Sequence, residues 1–179
     1  MTDMTESTPA LADGSAPATP KDLLRLLEEL GIESQTMNHA PVFTVEEAKA
    51  LRGEIPGGHI KNLFLRNKKG AMWLVTCLED RQIDLKALGE RLGAGRLSFG
   101  SADRLMKYLG VIPGAVTPFA VINDKQGQVK VVLDKAMLAV TPVNPHPLDN
   151  AMTTSIAPGD LIRFLEAVDH PPEILDLAS

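Results

Sequence analysis

The middle of the chain constrains the fold most. His59 to Arg66 and Ala71 to Leu78 are two apolar runs joined by Asn67-Lys68-Lys69-Gly70. Runs of this length, rich in Leu, Val, Phe and Trp and separated by a turn-forming Asn and Gly, predict a β-hairpin. A similar pattern, Phe119 to Ile122 and Val129 to Leu133 around Asp124-Lys125-Gln126-Gly127, predicts a second hairpin. Gln35 to His39 and Met152 to Ile156 read as short strands. Thr141 to Pro147 holds three prolines and reads as an ordered loop or edge strand.

Helical signals lie between these strands. Thr19 suits an N-cap, Pro20 the first helical position and Gly31 the stop, with Leu23, Leu24, Leu26, Leu27 and Leu30 forming a stripe at helical spacing. Thr44 and Glu47 make a capping box opening a helix through Leu51, followed by Gly53, Gly57 and Gly58 as potential hinges of a movable lid. Asp84 to Leu92, a Ser101-capped run to Leu109, and Pro158 to Val168 complete the set. Hairpins mixed with helices, without regular β-α-β alternation, predict an α+β domain with a largely antiparallel sheet.

The length of 179 residues fits a single domain, and a hydrophobic fraction of 44% can supply its core. Residues 1–18 are rich in Thr, Ser, Ala, Pro and Gly and are expected to be a disordered tail, leaving 19–179 as the domain. Cys77 is the single cysteine and sits in an apolar run, so it reads as a buried small hydrophobe. With no disulfide framework, no membrane-length apolar stretch and no visible signal peptide, the expected compartment is the cytoplasm. The formal net charge of -5 argues against a protein that grips long nucleic-acid backbones, DNA included. Contact with RNA would need a local cationic patch.

Nucleophile-elbow, P-loop and dinucleotide-binding motifs are missing. The four histidines, His39, His59, His146 and His170, lack metal-ligand spacing, so neither a metal nor a cofactor is expected. Three segments stand out. Gly57 to Leu65 places Lys61 in an apolar strand; if it shares a face with Leu63 and Leu65 it points inward, although a lysine on an edge strand more often faces solvent. Gly110 to Phe119 carries two glycines and two prolines, which suits either a structural turn or a rigid loop presenting backbone N–H groups to an oxyanion. His146, held between Pro145 and Pro147, is either structural or a positioned site residue. Arg52, Lys61, Arg66, Lys68 and Lys69 could meet phosphate, although Arg66, Lys68 and Lys69 could equally be a solvated hairpin tip.

Taken together, four elements carry a resemblance: His39-Ala40-Pro41-Val42-Phe43-Thr44, Lys61-Asn62-Leu63-Phe64-Leu65, the G-x-x-x-P run Gly114 to Pro118 continuing to Asp124, and His146-Pro147-Leu148 with Thr153-Thr154. In this order and spacing the chain resembles the editing-domain family of the bacterial prolyl-tRNA synthetase insertion domain and the free-standing YbaK-type deacylases. Within it, the chain looks most like the free-standing Ala-tRNA(Pro) deacylases. The resemblance spans about residues 20–177. It implies a mixed, mostly antiparallel and partly barrel-like sheet flanked by helices, and hydrolysis of the ester joining alanine to the end of tRNA(Pro). Lys61 matches the family's essential lysine, Asn62 its neighbour, Gly114, Ala115, Val116, Thr117 and Pro118 the loop that shapes the pocket, and His146 a pocket-lining histidine. Arg96 would help hold the tRNA end, and Val42, Phe43, Val45 and Ile60 would lie near the pocket. Water, helped by the substrate's ribose hydroxyl, would attack. Prolyl-tRNA synthetase is a further implied partner. Competing readings are the same fold acting on Cys-tRNA(Pro) or another mischarged tRNA, a non-catalytic aminoacyl-tRNA- or synthetase-binding module, and a general small-molecule ester hydrolase.

Overall fold

In the computed structural model, residues 9–41 and 57–177 are described. The chain runs through helix α1 (Pro20–Glu29), strands β1 (Ser34–Asn38), β2 (Ile60–Arg66) and β3 (Met72–Leu78), helix α2 (Leu85–Leu92), strand β4 (Ser98–Phe99), helix α3 (Ala102–Leu109), strands β5 (Val129–Asp134) and β6 (Met152–Ile156), helix α4 (Pro158–Ala167) and strand β7 (Glu173–Leu175). The expected α+β class is what forms. The helix expected over Thr44 to Leu51 lies outside the described residues.

The predicted central hairpin forms as β2 and β3, in antiparallel register from Ile60↔Leu78 to Arg66↔Met72. The second predicted hairpin does not form. Phe119 to Ile122 lies in a 3₁₀ turn, Pro118–Asn123, whose start Thr117 caps by accepting a hydrogen bond from the Phe119 amide at 3.3 Å. The fixed φ of Pro118 suits a helical first position, and the run is buried on all sides rather than alternating. β5 instead pairs in parallel with β3 and with β7. The five-stranded sheet, ordered β4-β2-β3-β5-β7, is therefore mixed, as the resemblance implies, with β2 antiparallel to β3 and β4, and β5 parallel to β3 and β7. It is also open, with β4 and β7 at its edges, so among the described residues it does not close into the expected partial barrel.

Central β3 is buried on both faces, which is why Met72 to Cys77 reads as a continuous apolar run. On one face Phe64, Met72 and Leu74 pack with Leu23 and Leu27 of α1, Leu105 and Leu109 of α3, and Leu161, Phe164 and Leu165 of α4. On the other, Leu65, Trp73, Val75 and Cys77 pack with Leu88 of α2, Leu97 and Leu177. Cys77 is fully buried, and burial pushes its thiol up to about 11. The folded protein is thus expected to resist thiol reagents at pH 7.5 and to label only once unfolded in urea; fast labelling of the native protein would contradict this placement.

A two-stranded sheet, β1 with β6, stands beside the larger one. Val143 joins the two, bridging Ile156 on one side and Gly58 on the other. The Gly58 amide donates to the Pro142 carbonyl at 2.7 Å, and the Asn144 amide donates to the Gly58 carbonyl at 3.2 Å. A Cβ on Gly57 would stand 2.5 Å from the Pro142 carbonyl oxygen, and one on Gly58 2.7 Å from Val140. Close chain crossing therefore accounts for both glycines.

Residues 9–18 also differ from the disordered tail expected over 1–18. Leu11 is buried, the Ala12 amide donates to the Lys107 carbonyl at 2.8 Å, and the Ala18 amide donates to the Asn123 side chain at 2.8 Å. One apolar residue and a few backbone bonds seat this stretch against α3, too sparse a pattern for composition to reveal.

Candidate active site

Asn62 ties β2 to the G-x-x-x-P loop. Its side-chain amide donates to the Val116 carbonyl at 3.1 Å, and its oxygen accepts from the Thr76 hydroxyl at 2.6 Å. Thr76 is fully buried on β3, directly across from Asn62. The buried half of the loop, Ala115 and Thr117 to Val121, anchors it in the main core, leaving Gly114 and Val116 partly exposed. Gly114 falls in the first turn of the 3₁₀ segment Pro113–Ala115, where its own N–H lacks a helical acceptor, while the Ala115 amide donates to the Ile112 carbonyl at 2.9 Å. The result is a rigid lip beside β2. Asn62 is a strut of this lip as much as a group able to meet a ligand.

Lys61 lies on the opposite face of β2, because successive strand residues alternate. It shares that face with Leu63 and Leu65 and stands across from Cys77. It is half-buried, so the solvent-facing orientation favoured by pattern is not what forms. Among the described residues it has no ion-pair partner. Lys61 and Asn62 can therefore act on one ligand only around the edge of β2. Ile60 is half-buried against the main core.

The third segment brings two histidines together. Antiparallel pairing of β1 with β6 sets Asn38 against Met152, which carries His39 to the His146 loop. The rings are 6.2 Å apart between centroids. His146 Nδ1 donates to the Met152 carbonyl at 2.7 Å, so its Nε2 is left with a lone pair in the neutral ring. Burial, with the nearby His39 charge, pushes the His146 pKa below its ordinary value despite the opposing pull of the Met152 carbonyl. His146 is thus an uncharged ring of fixed tautomer at neutral pH. His39 Nδ1 donates to the Ala40 carbonyl at 2.8 Å and its Nε2 meets the Thr153 hydroxyl at 2.8 Å. His39, Thr76 and Thr153 are candidate site residues, placed by these contacts, that pattern did not single out. Only the runs His39 to Thr44 and Thr153-Thr154 hinted at two of them.

Arg96 is exposed just before β4, apart from both groups. Val42, Phe43 and Val45 lie outside the described residues. Among the described residues, no group of His, Cys, Asp and Glu could hold a metal ion, and no helix is long and apolar enough to cross a membrane. With its thiol raised to about 11, Cys77 is a poor nucleophile.

Residues 39–164 match the model of the aminoacyl-tRNA editing domain. The chain is 42% identical over 152 residues to the prolyl-tRNA editing protein ProX of Acetoanaerobium sticklandii, covering 84% of this chain and 93% of that one. It is 39% identical to the prolyl-tRNA synthetase associated domain-containing protein 1 of Danio rerio, covering 97% and 98%. A crystal structure of a candidate trans-editing enzyme for prolyl-tRNA synthetase superposes with a TM-score of 0.70 at 18% identity, over 92% of this chain and 99% of that one, a likeness of fold. By these matches the chain belongs to the aminoacyl-tRNA editing domain family.

Proposed function

We propose that this protein is a trans-editing deacylase that hydrolyses Ala-tRNA(Pro), releasing alanine and intact tRNA(Pro) and so protecting proline codons. The observation that carries this reading is the lip Gly114–Pro118, pinned by Asn62 to β2, in a chain related over most of its length to a prolyl-tRNA editing protein. Alanine is smaller than proline, so a synthetic pocket built for proline cannot strongly reject it, and a second site must sort by size.

In this reading water attacks the ester carbonyl and the bond to the ribose oxygen breaks, the ribose oxygen taking a proton. Lys61 holds the terminal nucleotide through phosphate or carbonyl oxygen, its charge not neutralised within the described residues. Backbone N–H groups of the Gly114–Pro118 lip face the developing oxyanion. The uncharged His146 lines the pocket without repelling the substrate's α-ammonium group. The acceptor end of tRNA(Pro) is the ligand, prolyl-tRNA synthetase a second partner, and the cytoplasm the place of work.

The test is deacylation of Ala-tRNA(Pro) beside Pro-tRNA(Pro), Cys-tRNA(Pro) and a mischarged seryl-tRNA. Selective loss of the alanyl ester is expected. Inertness towards it, or equal action on Pro-tRNA(Pro), would overturn the assignment.

A further inference from the structure

Phe99 is 62% exposed, the most exposed large apolar side chain among the described residues. It stands on β4, an edge strand, directly opposite Leu65 of β2. Directly opposed residues of an antiparallel pair project from the same face. Phe99 is therefore on the Lys61 side of the sheet. Leu97 of the same segment is buried in the core of that face, while Phe99 is left uncovered at its rim.

Its surroundings are cationic. Arg66 pairs with Ser98 in the ladder, Arg96 lies two residues before β4, and Lys68 and Lys69 form the tip of the adjoining hairpin. No Asp or Glu occurs in residues 57–78 or 93–102, although the whole chain carries a net charge of -5. Among the described residues none of these four cations has a carboxylate partner, and the Nε of Arg66 is buried without a hydrogen bond. An uncovered aromatic ring within a segregated patch of unneutralised cations is the chemistry that binds single-stranded nucleic acid, by base stacking and phosphate contact.

We infer that Phe99 is a stacking platform for the unpaired 3′ bases of the tRNA acceptor end, which run along the β2–β4 edge towards Lys61; this rests on the function proposed above. The spacing suits that path. Lys61 to Leu65 is four residues of strand, roughly 13 Å. Bases stacked at roughly 3.4 Å would place about four nucleotides between Lys61 and the Phe99 ring. With the terminal nucleotide at Lys61, Phe99 meets the base where the chain leaves the duplex. Arg66 and Arg96 then face the phosphates of the stem.

The experiment uses the full chain and two uncharged RNA hairpins copying the acceptor stem, one with the four unpaired 3′ nucleotides and one blunt, with binding read by fluorescence anisotropy. Phe99→Ala is expected to weaken binding of the overhung hairpin about tenfold, from the loss of one base–aromatic contact. Phe99→Tyr should bind as wild type and Phe99→Leu as poorly as alanine, while the blunt hairpin should not distinguish the four proteins. In deacylation, Phe99→Ala should raise KM with kcat kept. Equal weakening on both hairpins, full binding by Phe99→Leu, or no change in any variant would overturn the inference. A wild-type dimer in sedimentation that Phe99→Ala converts to monomer would also overturn it, showing that a second copy covers the ring. Stacking on the overhung hairpin without Ala-tRNA(Pro) hydrolysis would sink the proposed function and leave the platform standing; hydrolysis with Phe99→Ala indistinguishable from wild type would do the reverse. Equal thermal midpoints establish that each variant folds.

Discussion

Lys61→Ala is expected to lower kcat/KM for Ala-tRNA(Pro) by about 100-fold or more, the scale of removing one preorganised charge contact at a reacting group. The same substitution should leave the thermal midpoint within a degree or two. Lys61 makes no ion pair among the described residues and is half-buried beside Cys77 and Leu63, so alanine removes a charge without stranding a partner. Unchanged stability with collapsed activity separates a substrate-binding lysine from a structural one. Lys61→Arg should recover only part of the activity, because a planar fork does not reproduce a compact ammonium at a site shaped for it. Saturating wild-type hydrolysis by Lys61→Ala would remove Lys61 from the site, and an equal loss of stability would make it a packing residue.

Asn62→Ala should behave differently, although the two residues are adjacent in sequence. Its side chain joins Thr76 of β3 to the Val116 carbonyl, so its removal leaves a buried hydroxyl without its acceptor and frees the lip. Opposite projection from one strand turns neighbouring residues into two separate tests of the same edge.

How far the residues alone reveal this arrangement depends on the range of the interactions. The β2–β3 hairpin is legible because its pairing is local and its turn residues are adjacent. The caps Thr19 and Ser101 are legible for the same reason: each accepts from an amide three residues on. The partner of β5 is not legible locally, because its pairing with β3 is parallel and spans the chain from Leu78 to Val129, which periodicity cannot register. The apolar run Phe119 to Ile122 suits a buried 3₁₀ turn as well as a strand, and Thr117 and Pro118 decide between them. β7 escaped notice as three residues, two of them exposed, behind two prolines. Within the site, Lys61 and the Gly114–Pro118 loop were visible as irregularities in apolar or turn sequence. The approach of His39 to His146 depends on β1 pairing with β6 from opposite ends of the chain. Local pattern does not carry that information.

Substituting Asp124 or His170 is expected to destabilise the protein more than any change at the site, by about 3–5 kcal/mol, since it strands one member of a buried charged pair. Both side chains are almost wholly buried, and His170 Nε2 lies 2.8 Å from an Asp124 carboxylate oxygen. The other ring nitrogen, Nδ1, lies 2.7 Å from the Val168 carbonyl. Both neighbours can only accept, so the arrangement calls for a doubly protonated, charged ring. Asp124 also accepts from the amides of Gln128 and Val129, which places it at the start of β5. The pair thereby clasps the end of α4 to the turn entering the sheet. Burial alone would lower the His170 pKa, but the hydrogen bonds to Asp124 and Val168 and the carboxylate charge outweigh it and raise the value above 6.5. Burial alone would raise the Asp124 pKa, but the His170 and backbone hydrogen bonds outweigh it and lower the value below 3.8. The raised histidine contributes fully below 6.5, and its stabilisation is lost as pH climbs through the folded value. The lowered carboxylate contributes fully above 3.8, and its stabilisation is lost as pH falls through the folded value. Both act together between those limits. Urea melts at pH 5.5 and 8.5 should therefore show the wild type more stable at the lower pH relative to His170→Gln, in which this titration is gone. Parallel pH profiles for the two proteins would mean that the ring is neutral in the fold, and that the clasp is an ordinary hydrogen bond.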